Sequence, residues 1–553
     1  MVLPLSDRLR TSSVVAALLL LGVCNSEAVQ LVRGPYLQTG TPTSIVVRWR
    51  TDEPTESIVR YGTAADALPA IASDLVKKTE HVVELVGLKP ATRYFYSVGH
   101  SSGPLASGAD YRFVTHPPEG QRTPTRIWVI GDCGTFATGA GNQLGVRDAY
   151  YRYVGDRHTD VWLALGDNAY YNGTDAEYQA SFFNVYPLML RQTVLWSTLG
   201  NHETYAAPVG SPIPYFDMFS FPKNAEAGGV ASGTEKYYSF NYANIHFVCL
   251  DSELSARTAD SPMLTWLRAD LEANTSDWLI AFWHSPPYSK GSHDSDNPFD
   301  NFGNMTEMRE NAVRVLEAHG VDLVLSGHSH IYERSYLLNG HYGLSNTLVP
   351  SMVKDAGSGR SGDTGAYRKG GRGPAANQGA VYIVAGSSGW ATSRTGFHPA
   401  MFFDELQVGS LVLDVTGDRL EAKFLRETGA IDDYFTILKG AAPEELRICT
   451  FAVGNGETLV RWKSVAGEAY RVEHSRTLSP ATWTPISDRV VASGATTSWS
   501  APIPPEQRES FYRVVRLAAD PPPATRLNTL SGQRSAVRKE VPASRAQKRR
   551  GSR

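Results

Sequence analysis

Three hydrophobic patterns follow one another along this chain of 553 residues. From residue 30 to about 117, apolar and polar positions alternate, as in Ser44-Ile45-Val46-Val47-Arg48-Trp49 and Tyr94-Phe95-Tyr96-Ser97-Val98. A period of two predicts strands with one face on a core, and here a small β-sandwich. After Pro117-Pro118-Glu119-Gly120 the pattern changes to short unbroken apolar runs separated by helix-like segments, and it continues to about residue 440. Such runs predict strands buried on both faces, at 126–131, 161–165, 194–199, 244–250, 278–283, 321–325 and 380–385. Between them, Asp260-Ser261-Pro262 ahead of Met263-Leu264-Thr265-Trp266-Leu267 offers an N-cap residue and an early proline. A second helix starts near Thr306 and stops at Gly320. Ser410–Val415 and Leu420–Phe424 predict a closing hairpin with Gly417-Asp418 in its turn. Apolar strands alternating with helices point to an α/β layered fold. Residues 441–518 return to alternation, as in Thr458-Leu459-Val460-Arg461-Trp462, and predict a second small β-sandwich.

The two ends fit none of these patterns. Arg8 and Arg10 precede the apolar stretch Val14–Val23, which is too short to span a bilayer. Ser26-Glu27-Ala28 places small residues before a cleavage point after Ala28. Residues 1–28 therefore read as a signal peptide, with a secreted or periplasmic destination. Cys24 admits a lipoprotein reading that Val23 beside it fits poorly. No other stretch is long and apolar enough for a membrane helix, so no integral membrane segment is expected once the signal is removed. Residues 519–553 are basic, carry three consecutive prolines and no aromatic residue, and predict a disordered tail. The folded domains expected are 29–118, 119–440 and 441–518.

Composition narrows the classes. Hydrophobic content of 42% and charged content of 20% are ordinary for a globular protein. A net charge of −3 argues against a nucleic-acid partner. Four cysteines are too few for a disulfide framework. Cys249 lies inside an apolar run and reads as a buried small hydrophobe. Residues 354–379 are rich in Gly, Ser, Arg and Lys and predict a long loop. Arg360, Arg368, Lys369 and Arg372 there either attract an anion or coat a solvated surface. Nothing in the sequence signals an oligomeric state.

Five of the apolar runs end on the same kind of punctuation: Gly131-Asp132-Cys133-Gly134, Gly166-Asp167-Asn168-Ala169-Tyr170-Tyr171, Gly200-Asn201-His202-Glu203, Trp283-His284-Ser285-Pro286 and Gly327-His328-Ser329-His330. Ligands of open α/β sheets gather at the carboxyl ends of strands, so these side chains can meet on one edge. No G-x-S-x-G elbow follows a strand; Ala385-Gly386-Ser387-Ser388-Gly389 lacks the spacing. A phosphate-binding G-x-x-x-x-G-K-[ST] loop and paired cysteines are also missing. Hard oxygen donors mixed with imidazoles suit Fe, Mn or Zn. Two carboxylates, several histidines and an amide suffice for two ions, which clamp phosphoryl groups when about 3.5–4 Å apart. Tyr170 adds a phenol of pKa about 10, which loses its proton only to a strongly acidic cation such as Fe(III).

These five motifs, together with the longer run Gly327-His328-Ser329-His330-Ile331-Tyr332-Glu333-Arg334-Ser335, resemble the purple acid phosphatases among the calcineurin-like metallophosphoesterases. The resemblance covers roughly 119–440. The preceding sandwich, with Leu88-Lys89-Pro90-Ala91-Thr92-Arg93-Tyr94, resembles a fibronectin type III domain and the module found ahead of the catalytic domain in larger members. The resemblance implies an α/β (α+β) metallophosphoesterase sandwich of two mixed sheets flanked by helices, with all-β domains on either side. It implies that Asp132, Tyr170 and His330 bind Fe(III), that Asp167 bridges, and that Asn201, His284 and His328 bind a divalent ion, Fe, Zn or Mn. His202 is expected to face the substrate phosphate, and His293 to contact substrate or donate a proton. Glu203 and Glu333 are expected to support the motifs by hydrogen bonds, and His246 and His319 to be structural. The implied activity is hydrolysis of phosphomonoesters by a metal-bound hydroxide. The alternatives are a phosphodiesterase or nucleotidase of the same superfamily, and an exported binding protein with an inert central fold.

Overall fold

The computed structural model describes residues 28–134, 142–206, 212–371 and 373–440, with shorter stretches between 446 and 517. The signal reading and the tail lie outside the described residues, Ala28 apart. The chain divides into two compact units, Met1–Ala442 and Pro443–Arg553. Among the described residues no helix is long and apolar enough to cross a membrane.

The first unit opens with a six-stranded all-β module: β1 (Leu31–Gln38), β2 (Ser44–Gly62), β3 (Ala70–Val86), β4 (Arg93–His100), β5 (Gly103–Ala106) and β6 (Arg112–Val114). The alternating positions Ile45, Val47 and Trp49 are its buried face. The Tyr94 hydroxyl accepts the Lys89 N–H at 3.0 Å and closes the corner before β4. This module is tied to the rest of the unit by buried polar contacts. Arg33 and Arg50 both hold Asp175, at 2.8 and 2.6 Å. The Tyr36 hydroxyl donates to the Met218 carbonyl at 2.6 Å.

Two seven-stranded mixed sheets follow. The first has the order β17 (Tyr367–Lys369), β22 (Ile431–Lys439), β21 (Arg419–Arg426), β20 (Gly409–Thr416), β7 (Thr125–Ile130), β8 (Val161–Ala164) and β9 (Leu195–Ser197). The second has the order β10 (Tyr238–Tyr242), β11 (Ile245–Cys249), β12 (Trp278–Trp283), β13 (Leu323–Ser326), β18 (Val381–Ala385), β14 (Tyr332–Ser335) and β19 (Met401–Glu405). A small ribbon pairs β15 (Leu337–Leu338) with β16 (Val353–Asp355). Within the sheets β7, β8 and β9 are parallel, as are β11, β12, β13 and β18.

Burial on both faces explains the unbroken apolar runs. Phe247, Ile280, Phe282 and Leu323 enter one large core that also holds Ile127, Leu163 and Trp196 of the first sheet. Their neighbours Val248, Leu279, Ala281 and Val324 enter a second core under the helices. One of those helices is Pro262–Ala273, capped by the Ser261 side chain at Leu264 N–H. The helix expected from Thr306 is present but uneven: α-turns at Asn304–Glu307 and Val313–Ala318 flank a wider π-turn, Met308–Ala312.

The reading of 354–379 as a plain loop is corrected in two ways. Tyr367–Lys369 is a strand that extends the first sheet beside β22. Two of the cations are spent internally as well: Lys369 is buried on Asp322 at 2.7 Å, and Arg360 joins Arg334 on Asp433 at 2.9 Å, while Arg368 is exposed. A buried cation that already holds a carboxylate is not free to recruit an anion. Arg372 lies outside the described residues.

The second unit holds a three-stranded sheet, β23 (Ile448–Gly454), β24 (Glu457–Lys463) and β28 (Thr496–Pro502). It also holds a four-stranded one of β25 (Ala469–Ser475), β26 (Thr484–Pro485), β27 (Val490–Val491) and β29 (Phe511–Arg516), around a core of Val460, Trp462, Tyr470 and Val472.

Candidate metal centre

The five punctuated strand ends are the carboxyl ends of β7, β8, β9, β12 and β13. The first three belong to one sheet and supply Asp132, Asp167, Tyr170 and Asn201; the other two supply His284, His328 and His330. The layering brings these seven residues into two clusters that share Asp167. Asp132, Asp167 and His330 form one group of mutually close ligand atoms, and Asp167, His284 and His328 another. In the first, the Tyr170 hydroxyl lies 3.2 Å from Asp132 Oδ1 and 3.0 Å from His330 Nε2. In the second, Asn201 Oδ1 lies 3.0 Å from both His284 Nε2 and His328 Nδ1. His284 Nε2 lies 3.5 Å from Asp167 Oδ2.

The backbone is bent to achieve this. Asp132, Asp167 and His328 all have left-handed φ, at 52°, 52° and 67°. Such angles cost roughly 1–3 kcal/mol each outside glycine and concentrate at functional sites. The glycines before the motifs serve close approach. A Cβ on Gly200 would strike Asp167 Oδ1, and one on Gly327 would strike Asp132 Oδ2.

A carboxylate beneath the centre holds two of the turns. Glu203 accepts the N–H groups of Asp167, Asn168 and Gly200 at 2.8–2.9 Å and the Tyr178 hydroxyl at 2.8 Å. Burial first, and then the Asp167 charge, push its carboxyl up. Glu333 similarly accepts Lys290 N–H at 3.0 Å and the Ser289 hydroxyl. His284 Nδ1 faces the Leu165 carbonyl at 2.8 Å, so it carries the proton and leaves the Nε2 lone pair for the cluster.

The donor set fits metal ions. Asp132 and Asp167 are buried, and among the described residues neither pairs with a lysine or arginine; their ion-pair partners are histidines. Buried anions require a compensating charge. Burial favours a protonated Asp167, but His284 and then His202 hold its carboxyl well below the usual carboxylate range. Burial, followed by the charges of Asp167, Asp132 and Glu203, pushes the Tyr170 phenol far above its ordinary value. A cation strong enough to overturn that balance is the condition for Tyr170 to act as a ligand. Cys133 is buried, and burial pushes its thiol up, so it stays a neutral neighbour of the centre.

His202 and His293 both border the centre, the first beside Asp167 and the second beside His328. His202 Nδ1 faces the Tyr171 carbonyl at 2.7 Å, which leaves Nε2 3.9 Å from Asp167 Oδ2. His293 stacks on His328 with ring centroids 3.8 Å apart, and its Nδ1 lies 2.8 Å from Asp300 Oδ1. His246 bonds Asn241 and Asp270 within the core, and His319 bonds the Val315 carbonyl.

Sequence reasoning missed three neighbours. Asp300, seven residues beyond His293, has no motif around it. Tyr205 accepts from Asn201 Nδ2 at 3.2 Å. Trp390 packs its ring 5.2 Å from His330. The last had a signal: Gly386-Ser387-Ser388-Gly389 follows β18, a sixth strand end, and Ser388 N–H reaches the Gly131 carbonyl at 3.1 Å.

Residues 125–332 match the family model of calcineurin-like phosphoesterases, and residues 34–115 that of the purple acid phosphatase N-terminal domain. Purple acid phosphatase 15 of Arabidopsis thaliana is 30% identical over 283 residues, 46% of this chain and 49% of that protein. A purple acid phosphatase of Glycine max is 28% identical over 406 residues, 68% of this chain and 76% of that protein. A purple acid phosphatase from yellow lupin (Lupinus luteus) seeds shares the fold, with a TM-score of 0.59 and 19% identity over 73% of this chain and 74% of the other. The chain spans about half to two thirds of the length of most of the curated relatives it matches. With both domain models matched in order, the chain belongs to the purple acid phosphatase family within the calcineurin-like phosphoesterases.

Proposed function

We propose that the protein is a metal-dependent acid phosphatase that hydrolyses phosphomonoesters, exported from the cell and carrying Fe(III) beside a divalent Fe, Zn or Mn ion. The observation that carries this reading is the pair of donor clusters sharing Asp167, one with a phenol and an extra carboxylate, the other with an amide and two imidazoles. Asp132, Tyr170, His330 and Asp167 would hold the trivalent ion. Asn201, His284, His328 and Asp167 would hold the divalent one. The relatives named as purple acid phosphatases support the same reaction class.

A bound metal pair supplies positive charge to phosphoryl oxygens and acidifies a coordinated water. The chain's own groups then act around the ester. Tyr171 fixes the His202 tautomer, so Nε2 is the atom turned to the substrate phosphate. Asp300 fixes His293 in the same way, so its Nε2 is the atom available to a leaving oxygen. A proton delivered there stabilises the departing alkoxide, a contribution of about 10²–10⁴-fold in typical general acid catalysis.

The test combines metal analysis and a visible spectrum of the purified protein with assays on a phosphomonoester and a phosphodiester at pH 5. A coloured, iron-containing protein that prefers the monoester is expected. A colourless protein without iron would sink the Fe(III) assignment, and a diester preference would sink the phosphomonoesterase reading.

A further inference from the structure

The segment after His293 is tied down on its inner side and left open on its outer side. Asp300 holds His293 through Oδ1 and the Asp294 N–H through Oδ2, both at 2.8 Å. Asn301 Nδ2 donates to the Ser285 hydroxyl at 2.7 Å and to Glu253 at 3.1 Å. Ser285 directly follows His284, and Glu253 also accepts from the Ser285 and Ser252 hydroxyls and from Asn304. Thus Asp300 and Asn301 are both fastened to the floor of the metal centre.

The residues flanking this pair are Phe299 and Phe302, and their side chains are 89% and 87% exposed. Water contact on two phenyl rings forfeits the burial that ordinarily justifies a phenylalanine. Moreover Asn301 and Phe302 are both left-handed, with φ 42° and 55°. A bulky residue in that region is an outlier that the surrounding structure must enforce. Strain without burial points to a role in contact with something else.

Two more exposed aromatic rings border the centre beside His202. Tyr171 and Tyr205 are 54% and 51% exposed. Tyr205 is bonded to Asn201, and both rings flank His202, with centroids 6.0 and 5.2 Å from it. Through His202 these tyrosines, and through His293 and Asp300 the Phe299–Phe302 segment, adjoin the two histidines proposed to attend the phosphate ester.

We propose that Phe299 and Phe302, with Tyr171 and Tyr205 beside His202, form an aromatic rim that binds a planar, apolar alcohol portion of the phosphomonoester. The inference rests on the phosphomonoesterase reading above. The preferred substrates are phosphate esters of aromatic alcohols, held by stacking and by burial of the exposed phenyl faces.

The test is the ratio of kcat/KM for phenethyl phosphate to that for ethyl phosphate. The two alcohols leave with similar acidity, so the ratio reads contacts made by the phenyl group. A wild-type ratio of about three to ten is expected from one or two aromatic contacts. In the double variant Phe299→Ser/Phe302→Ser the ratio should fall towards one. In Leu75→Ser, an exposed apolar change on β3, it should hold. Hydrolysis of both esters with a wild-type ratio near one would overturn the rim. So would a ratio unaltered in the double variant, or equal losses with both esters, because the segment would then act only through His293. Failure of the wild-type protein to hydrolyse either ester would instead overturn the phosphomonoesterase reading.

Discussion

The two halves of the centre share one carboxylate and differ in the balance of their other donors. Around Asp132, Tyr170 and His330 the donors are an anion, a phenol that needs a strong acid to ionise it, and one imidazole. Around Asn201, His284 and His328 they are a neutral amide and two imidazoles. With Asp167 counted to both, the first half offers up to three negative charges and the second only one. Such an imbalance would suit the unlike ions proposed above, since hard, charged oxygen donors suit a trivalent cation and imidazoles a divalent one. The support beneath follows the same division. His328 N–H caps Asp132 Oδ2 at 2.8 Å, whereas His284 is oriented by a neutral carbonyl. Burial first, and then neighbouring histidines, hold His328 well below its ordinary pKa, so it enters its half as a neutral base.

This comparison can be broken most severely at the shared residue. Asp167→Asn should empty both halves and lower kcat/KM by more than about a hundredfold, since even the partners of metal ligands are worth 10–100-fold; metal analysis and turnover would read both effects. Retention of either ion would show that the carboxylate is not shared. The next largest effect should be selective. Tyr170→Phe should lose the visible absorption and most of the iron while the divalent ion stays, and a variant that keeps its colour would remove the phenol from the first half. Asp300→Ala removes no donor of either half. It should lower kcat about ten- to a hundredfold by releasing His293, with the loss smaller for p-nitrophenyl than for alkyl phosphates. Combined with His293→Ala it should cost nothing further, because both changes remove one function. Additive losses would separate the two residues.

The smallest expected effect on activity concerns Glu333, under the loop that carries His293. Burial pushes its carboxyl from 4.5 up to about 7. The native state therefore holds a proton that the unfolded chain releases between pH 4.5 and 7, and stability falls as pH rises through that window. The loss amounts to roughly 3 kcal/mol at full extent. Glu333→Gln should flatten this slope in denaturant titrations at pH 4.5 and 7.5; an unchanged slope would place the proton elsewhere.

The family's chemistry was legible because each proposed ligand sits at a strand end, and four of the five strand ends are visible as an apolar run stopped by glycine. β12 was read to the residue, Trp278–Trp283, since a strand buried on both faces has no polar position to blur it. β14, β17 and β19 went unread. Their segments mix charges with apolar residues, as in Tyr332-Glu333-Arg334-Ser335, where Glu333 and Arg334 are buried and Arg334 bonds Asp433 far along the chain. The π-turn at Met308–Ala312 and the left-handed Asn301 and Phe302 were equally silent, because neither follows from local preference.

What the sequence determined by itself was the inventory: which donors exist, that they fall at the ends of buried strands, and that a phenol and an amide distinguish two sets among them. The physical reason is local, since burial on both faces demands apolar runs and tight turns demand glycine. What only the tertiary structure decided was the pairing. Two sheets had to stack before Asp132 and Asp167 of one met His284, His328 and His330 of the other. Asp300, an ordinary acid in a polar loop by its sequence, gained a role only when the chain folded back to place it on His293.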